Sequence, residues 1–182
     1  MSAAVGEGTM SVGLTTAPLS EVLRDLQRVV TALSPEQYAT RPGGFPSSVG
    51  AQVRHCLDHV RAFLDGVAAG RIDYESRLRG TPIETDRDAA LAALGALVAR
   101  LECPPAADPG EAIRVIDRLA PSQPSVVMLS TIGRELAFVT SHTTHHNALI
   151  GALAVALGVT TPRRFGFAAS TLAFLEPLTC AR

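Results

Sequence analysis

Apolar residues recur three and four positions apart in four long stretches of the chain, the spacing that lines one face of an α-helix. The first stretch covers residues 21–33, with Ser20 placed to cap it and Glu21 in its first turn. Ser34-Pro35-Glu36 predicts a short extra turn after it. The second begins at Ser47 or Ser48 and ends at Gly70, with Val49, Val53, Cys56, Val60, Phe63, Leu64 and Val67 as its apolar positions. The third is the Ala/Leu-rich stretch 86–101, closed by Pro104-Pro105. The fourth runs over 132–157 and stops at Gly158. Between the third and fourth the apolar period shortens to two over 112–119, and 125–129 is β-prone, which predicts a hairpin. These elements predict an all-α protein, a four-helix bundle with a small β-hairpin or irregular insertion before the last long helix. Residues 1–18 read as a flexible tail, 19–182 as a single domain, 71–85 as a charged loop and 159–182 as mostly irregular chain.

Composition narrows the class. A chain of 182 residues with 47% hydrophobic and 18% charged residues folds around a core of its own. Aromatics are scarce, so that core must be aliphatic. The formal charge of −1, from 16 basic and 17 acidic residues, supplies no basic stripe for a nucleic acid. The longest apolar stretch, 148–159, is shorter than the roughly 20 residues a membrane span needs. Cys56, Cys103 and Cys180 are an odd set at wide spacing, which fits a reducing compartment better than a disulfide framework. No leader-like segment is visible, since the first basic residue is Arg24. The expectation is a cytoplasmic protein acting on a small molecule, with no nucleic-acid or membrane partner.

The five histidines carry the chemistry. His55 and His59 lie on the second helix, and His142, His145 and His146 on the fourth. At about 100° per residue, with His142 set to zero, the apolar stripe of the fourth helix centres near 20–40°. His146 falls near 40° and Glu135 near 20°, both inside that stripe, whereas His145 falls near −60°, at its edge. His142 and His146 are therefore one turn apart and inward, able to converge on one cation. A third ligand must come from the second helix. There periodicity slightly favours His59 over His55 as the inward residue, and both remain candidates. Imidazoles suit Zn, Ni, Cu or Fe and not Mg or Ca; Zn or Ni come first here, then Fe.

These stretches resemble a known family. VGAQVRHCLDH at 49–59 is similar to the first histidine motif of the DinB-like superfamily, a group that includes YfiT-like metal-dependent hydrolases, and RELAFVTSHTTHH at 134–146 resembles its second. DYESRLR at 73–79, continuing to Glu84, is similar to a loop of one subgroup, and the resemblance spans roughly residues 48–171. It implies an up-down-down-up bundle, a metal triad of His55, His142 and His146 with His59 as the alternative third ligand, and a homodimer. It also implies activity as a hydrolase or as an S-transferase using a low-molecular-weight thiol. One departure stands: where the family commonly reads HHRGQ, this chain has His145-His146-Asn147-Ala148-Leu149.

Three protein ligands leave an open coordination position, the catalytic pattern. Glu135, inside an apolar stripe, needs a partner; it is a candidate base, or a carboxylate that orients a histidine, against a plain salt bridge. Tyr74, Arg77 and Arg79 are candidates for gripping an anionic substrate at the site mouth. Cys56, at the centre of its stripe, reads as an inert buried thiol. Two readings result: a metal-dependent hydrolase or thiol S-transferase, and a non-catalytic, metal-binding, dimerising scaffold with a stress-related role. The open position favours the first; the altered residues after His146 favour the second.

Overall fold

The structure is a computed structural model that describes residues 15–104 and 106–175. Residues 1–14 of the expected tail lie outside the described residues, as does Cys180. The chain is mostly helical with one small sheet. In order come α1 (Ala17–Ala32), α2 (Pro35–Ala39), α3 (Val49–Ala69), β1 (Arg71–Asp73), a 3₁₀ turn (Pro82–Glu84), α4 (Arg87–Glu102), β2 (Ala112–Asp117), β3 (Val126–Thr131), α5 (Ile132–Ala156) and α6 (Ala169–Leu175).

Local chemistry sets the helix ends. The Ser48 hydroxyl accepts from the Ala51 amide at the start of α3, and Gly70, with φ 69°, turns the chain left-handed at its end. Asp86 accepts the Asp88 and Ala89 amides to start α4. Ser34 and Gln37 form a reciprocal capping box on α2, the extra turn expected after α1. The start of α1 differs from the sequence expectation. The helix begins at Ala17, not after Ser20, because Pro18 presets helical φ in its first turn and Ser20 is drawn into the interior at 2% exposure. The segment 159–182, expected to be mostly irregular, contains the seven-residue α6.

The long helices share one core. Leu19, Leu23, Leu26 and Val30 of α1 meet Val53, Leu57, Val60 and Phe63 of α3, Leu94 and Leu101 of α4, and Val139, Ile150 and Leu153 of α5. Helix α1 packs on α4 and α5, and α3 likewise packs on α4 and α5. Aliphatic burial at these positions is the main driving force for the fold, roughly 1.5–3 kcal/mol per fully buried Leu or Val. Cys56 is part of that core, and burial pushes its thiol up to about 12, so it is an inert packing group. Among the described residues, no helix is long and apolar enough to cross a membrane.

The expected hairpin is present, with β2 and β3 antiparallel and Val115 opposite Met128. It belongs to a larger sheet, since β1 pairs parallel with β2, Ile72 opposite Val115. The 71–85 stretch was expected to be loop, and its first three residues are this strand. A three-residue strand is too short for periodicity to register. What places it is tertiary: Ile72 is fully buried against Gly66 of α3, where an added Cβ would come within 2.6 Å of the Ile72 Cα. The Tyr74 amide then donates to the Ile116 carbonyl, so Tyr74 leaves the sheet pointing at the α3–α5 seam.

The rest of this loop is pinned to α3 by a second close approach. Gly50 lies under the Glu84 carbonyl, so near that a Cβ there would be 2.1 Å from the oxygen, and the Tyr38 hydroxyl donates to the Ile83 carbonyl alongside. Gly50→Ala is therefore expected to lower stability by about 2 kcal/mol or more, since backbone blocks the added methyl. Gly95→Ala, whose Cβ would meet nothing nearer than 4.0 Å, is expected to raise it by about 0.5–1 kcal/mol. Urea unfolding of the two variants checks both signs.

Candidate metal centre

Helices α3 and α5 pack side by side, and the histidines of both sequence pairs face the seam between them. One ligating nitrogen from each of His55, His142 and His146 can be chosen so that all three lie within 4.8 Å of one another. His55 Nε2 and His142 Nε2 are 3.0 Å apart. Two nitrogens that each sit about 2.0–2.1 Å from one ion are separated by roughly 2.9–3.4 Å at right-angled to tetrahedral bond angles. The observed spacing therefore suits a shared cation. Two imidazole nitrogens this close need a shared proton or a cation between them, because both lone pairs cannot face each other bare.

The third ring is oriented by a partner that sequence reasoning missed. Gln52, one turn before His55, places its Oε1 2.6 Å from His146 Nδ1. An amide oxygen only accepts, so His146 donates from Nδ1 and keeps the Nε2 lone pair for a ligand. The signal available in the sequence was the i, i+3 spacing of Gln52 and His55, which puts both on one face of α3.

His59 is inward too, and more buried than His55, at 5% exposure. Its Nδ1 lies 3.0 Å from the His55 carbonyl oxygen, and its ring centroid is 4.3 Å from that of His142. Periodicity's preference for His59 as the inward residue thus describes burial, while the converging nitrogens are those of His55, His142 and His146. His145 is exposed, in edge contact with His146, as its place at the stripe margin implied.

Electrostatics keep the rings ready for a metal. Burial, reinforced by the neighbouring imidazoles and Arg77, lowers His55 and His142 from the ordinary 6.5 to about 3. Burial first and then His145 bring His146 down to about 4. His59 is lowered as well, mainly by burial and against its bond to the His55 carbonyl. All four are therefore neutral at pH 7, the form in which imidazole binds metals.

Around the rings stands a second layer. Tyr74 stacks on His59 with ring centroids 5.4 Å apart, and Phe138 stacks on His142 at 5.6 Å. The Tyr74 hydroxyl donates to Glu135 Oε2 at 3.0 Å. Glu135, 2% exposed, also accepts from the Ser130 hydroxyl at 2.6 Å and pairs with Arg134 at 3.1 Å. The carboxylate that the apolar stripe flagged is thus buried, paired and hydrogen-bonded by three side chains. Burial and the Glu135 charge push the Tyr74 phenol upward, so it stays a donor.

The expected anion grip is dispersed. Tyr74 is buried at 3% exposure with its hydroxyl committed to Glu135. Arg77 donates from Nε to the Tyr74 carbonyl and pairs with Glu75, although its charge is still felt by His55, His59 and His142. Arg79 is exposed on the loop.

Two cavities lie beside this region. One, of about 330 Å³, is bounded by Tyr74, Phe138 and the hairpin. The other, of about 660 Å³, lies over His145 and Ala148 on the other side of α5.

The neutral rings have a measurable consequence. In the unfolded chain these imidazoles take up protons as pH falls below about 6.5, whereas in the folded chain they do so only near 3–4. Their contribution to stability is complete above 6.5 and is lost as pH falls through that interval. Urea midpoints of the metal-free protein are expected to fall between pH 6.5 and 4, and to fall less in a His55→Gln/His142→Gln double variant. An equal slope in both proteins would show that other groups govern the acid limb.

The model of a protein family described as the DinB superfamily matches residues 19–150. A search of curated proteins found no significant match.

Proposed function

Because the chain belongs to the DinB superfamily, we propose that it is a metal-dependent enzyme, a hydrolase or thiol S-transferase, whose divalent ion is held by His55, His142 and His146. The observation that carries this reading is the convergence of three neutral imidazoles, from helices distant in sequence, within 4.8 Å. On this reading α1, α3, α4 and α5 form a four-helix bundle in up-down-down-up order, supported by the packing of α1 and α3 each against both α4 and α5.

The donor set fits zinc or nickel first and iron after them, because it is all imidazole with no carboxylate among the converging groups. When bound, the ion would supply Lewis acidity at an open coordination position, suited to activating either water or a thiol.

The chain's own residues then have distinct tasks. Gln52 fixes the His146 tautomer. His59, neutral and hydrogen-bonded through Nδ1, holds the His55 backbone and packs against His142. Glu135 is a positioning residue: through the Tyr74 hydroxyl it holds the ring that stacks on His59. Phe138 and Tyr74 exclude water from one side of the rings.

Elemental analysis of purified protein is expected to give one transition-metal ion per chain. His142→Ala is expected to lose it while retaining the helical circular-dichroism spectrum; full metal retention would overturn the ligand assignment. Gln52→Ala is expected to weaken metal affinity by about 10–100-fold, the usual effect of removing a partner that orients a ligand. Turnover of an activated ester, or of a thiol and an acceptor, is expected to stop on chelation and return with added metal. Activity indifferent to chelation would remove the metal from the reaction.

A further inference from the structure

Exposed large apolar side chains concentrate on the hairpin and its flank: Leu119 is 67% exposed, Val127 65%, Leu129 82% and Met128 37%. Cross-strand pairing tells which of them face inward. Val115, 4% exposed, stands opposite Met128, and Ile113, 3% exposed, opposite Ser130, so these residues share the face turned toward the helices. Met128 is thus an inward residue that the described residues leave partly uncovered. The hairpin overhangs the first turns of α5 without closing on it, leaving the cavity of about 330 Å³. That volume falls in the range of small-molecule sites.

The cleft has two kinds of wall. Leu119, Met128, Leu129 and Val115 make the outer wall. The inner wall is Tyr74 and Phe138, the same two rings that stack on His59 and His142. Its charged lining is one guanidinium, Arg134, against two carboxylates, Glu135 and Asp117. Arg134 is already paired with Glu135 and lies over the Phe138 ring at 5.3 Å. The hydrogen bond recorded for the Asp117 carboxylate is the neighbouring Arg118 amide, and the Arg118 guanidinium is turned to Glu75 instead. The cleft therefore offers an apolar slot with a carboxylate available at its rim.

We propose that this cleft, between the hairpin and α5, is a ligand site adjoining the histidine centre across the Tyr74 and Phe138 rings, and takes a small apolar molecule bearing an amine or ammonium group. The ring or chain of the ligand would lie between Met128 and the Phe138 face, and its N–H donors would meet Asp117. The assignment to the histidine centre rests on the metal reading above; the occupancy of the cleft does not. It differs from the anionic substrate expected from Tyr74, Arg77 and Arg79: the Tyr74 hydroxyl is committed to Glu135, Arg77 is paired with Glu75 and Arg79 stands on the exposed loop.

Fluorine NMR with three probes of one shape tests it: para-fluorobenzylamine, para-fluorotoluene and para-fluorobenzoate. The amine is expected to bind metal-free full-length protein about tenfold more tightly than the benzoate, with toluene between them. Asp117→Asn is expected to bring the amine down to the toluene value, and Met128→Lys to abolish binding of all three. In protein loaded with cobalt(II), the bound amine's fluorine signal is expected to broaden beyond that in zinc(II)-loaded protein, through proximity to the paramagnetic ion. No binding, a preference for the benzoate, or binding untouched by Met128→Lys would overturn the ligand class. Binding without extra broadening, in protein shown by elemental analysis to hold cobalt, would overturn the link to the histidines. Protein that takes up no cobalt would sink the metal reading and that link with it, while the probe ranking would still decide the cleft.

Discussion

The α3–α5 seam is the constraint on which the rest of the structure depends. Four imidazoles are packed there with ring centroids 4.3–5.0 Å apart in their closest pairs. Such a cluster is tolerable only while uncharged, since protons on adjacent buried rings would repel one another as well as lose their hydration. The aliphatic core on either side of the seam leaves His55, His142 and His146 only partly exposed and His59 buried. The hydrogen bonds to Gln52 Oε1 and to the His55 carbonyl satisfy the Nδ1 donors of His146 and His59. Burial, neutrality and convergence are here one physical fact, and the resulting arrangement is compatible with a shared cation.

Much of this was legible in the chain. The long helices α3, α4 and α5 were marked by apolar spacing, by a start at Ser47 or Ser48, and by stops at Gly70, Pro104-Pro105 and Gly158. The inward faces of His142, His146 and Glu135 followed from the same angular argument. What stayed hidden was whatever depended on partners distant in sequence. The choice between His55 and His59 could not be made from one helix, because both face the seam and differ in where their nitrogens reach. Gln52 was missed since its significance lies in a residue on another helix. Strand β1 was missed since Ile72 is placed by Gly66 and by pairing with Val115, not by any period of its own. The loop arginines show the same dependence: their spacing does not reveal that Arg77 turns to Glu75 and to the Tyr74 carbonyl.

The sheet is small but does more than decorate the helices. Strand β1 continues directly from the Gly70 turn of α3, and β3 runs directly into α5, with Thr131 capping the helix through the Arg134 amide. The two helices that supply the histidines are thus joined through β1–β2–β3 as well as through their own packing. Tyr74 at the end of β1 and Ser130 near the end of β3 converge on the same carboxylate, Glu135. A shift of the hairpin would therefore be felt at the ring stacked on His59. This mechanical link couples the walls of the cleft under the hairpin to the histidine seam.

Two of the residues that depart from the common family ending, Asn147 and Ala148, have structural explanations; nothing in the structure explains Leu149, which is exposed. Asn147 is 2% exposed and donates from Nδ2 to the Val22 carbonyl of α1, so it locks α5 onto α1 one residue beyond His146. A longer arginine would not fit that enclosed place without expelling its charge from the core. Ala148 lies under the chain at Gly166, where a Cβ would come within 2.4 Å of the Ala148 amide nitrogen. The C-terminal segment can cross α5 there only because both residues are small and Gly166, with φ 77°, can make the turn. The change after His146 thus places a buried asparagine against α1 and a small residue under the chain at Gly166. The side that faces α3, where the three nitrogens meet, is left as the rest of the fold demands.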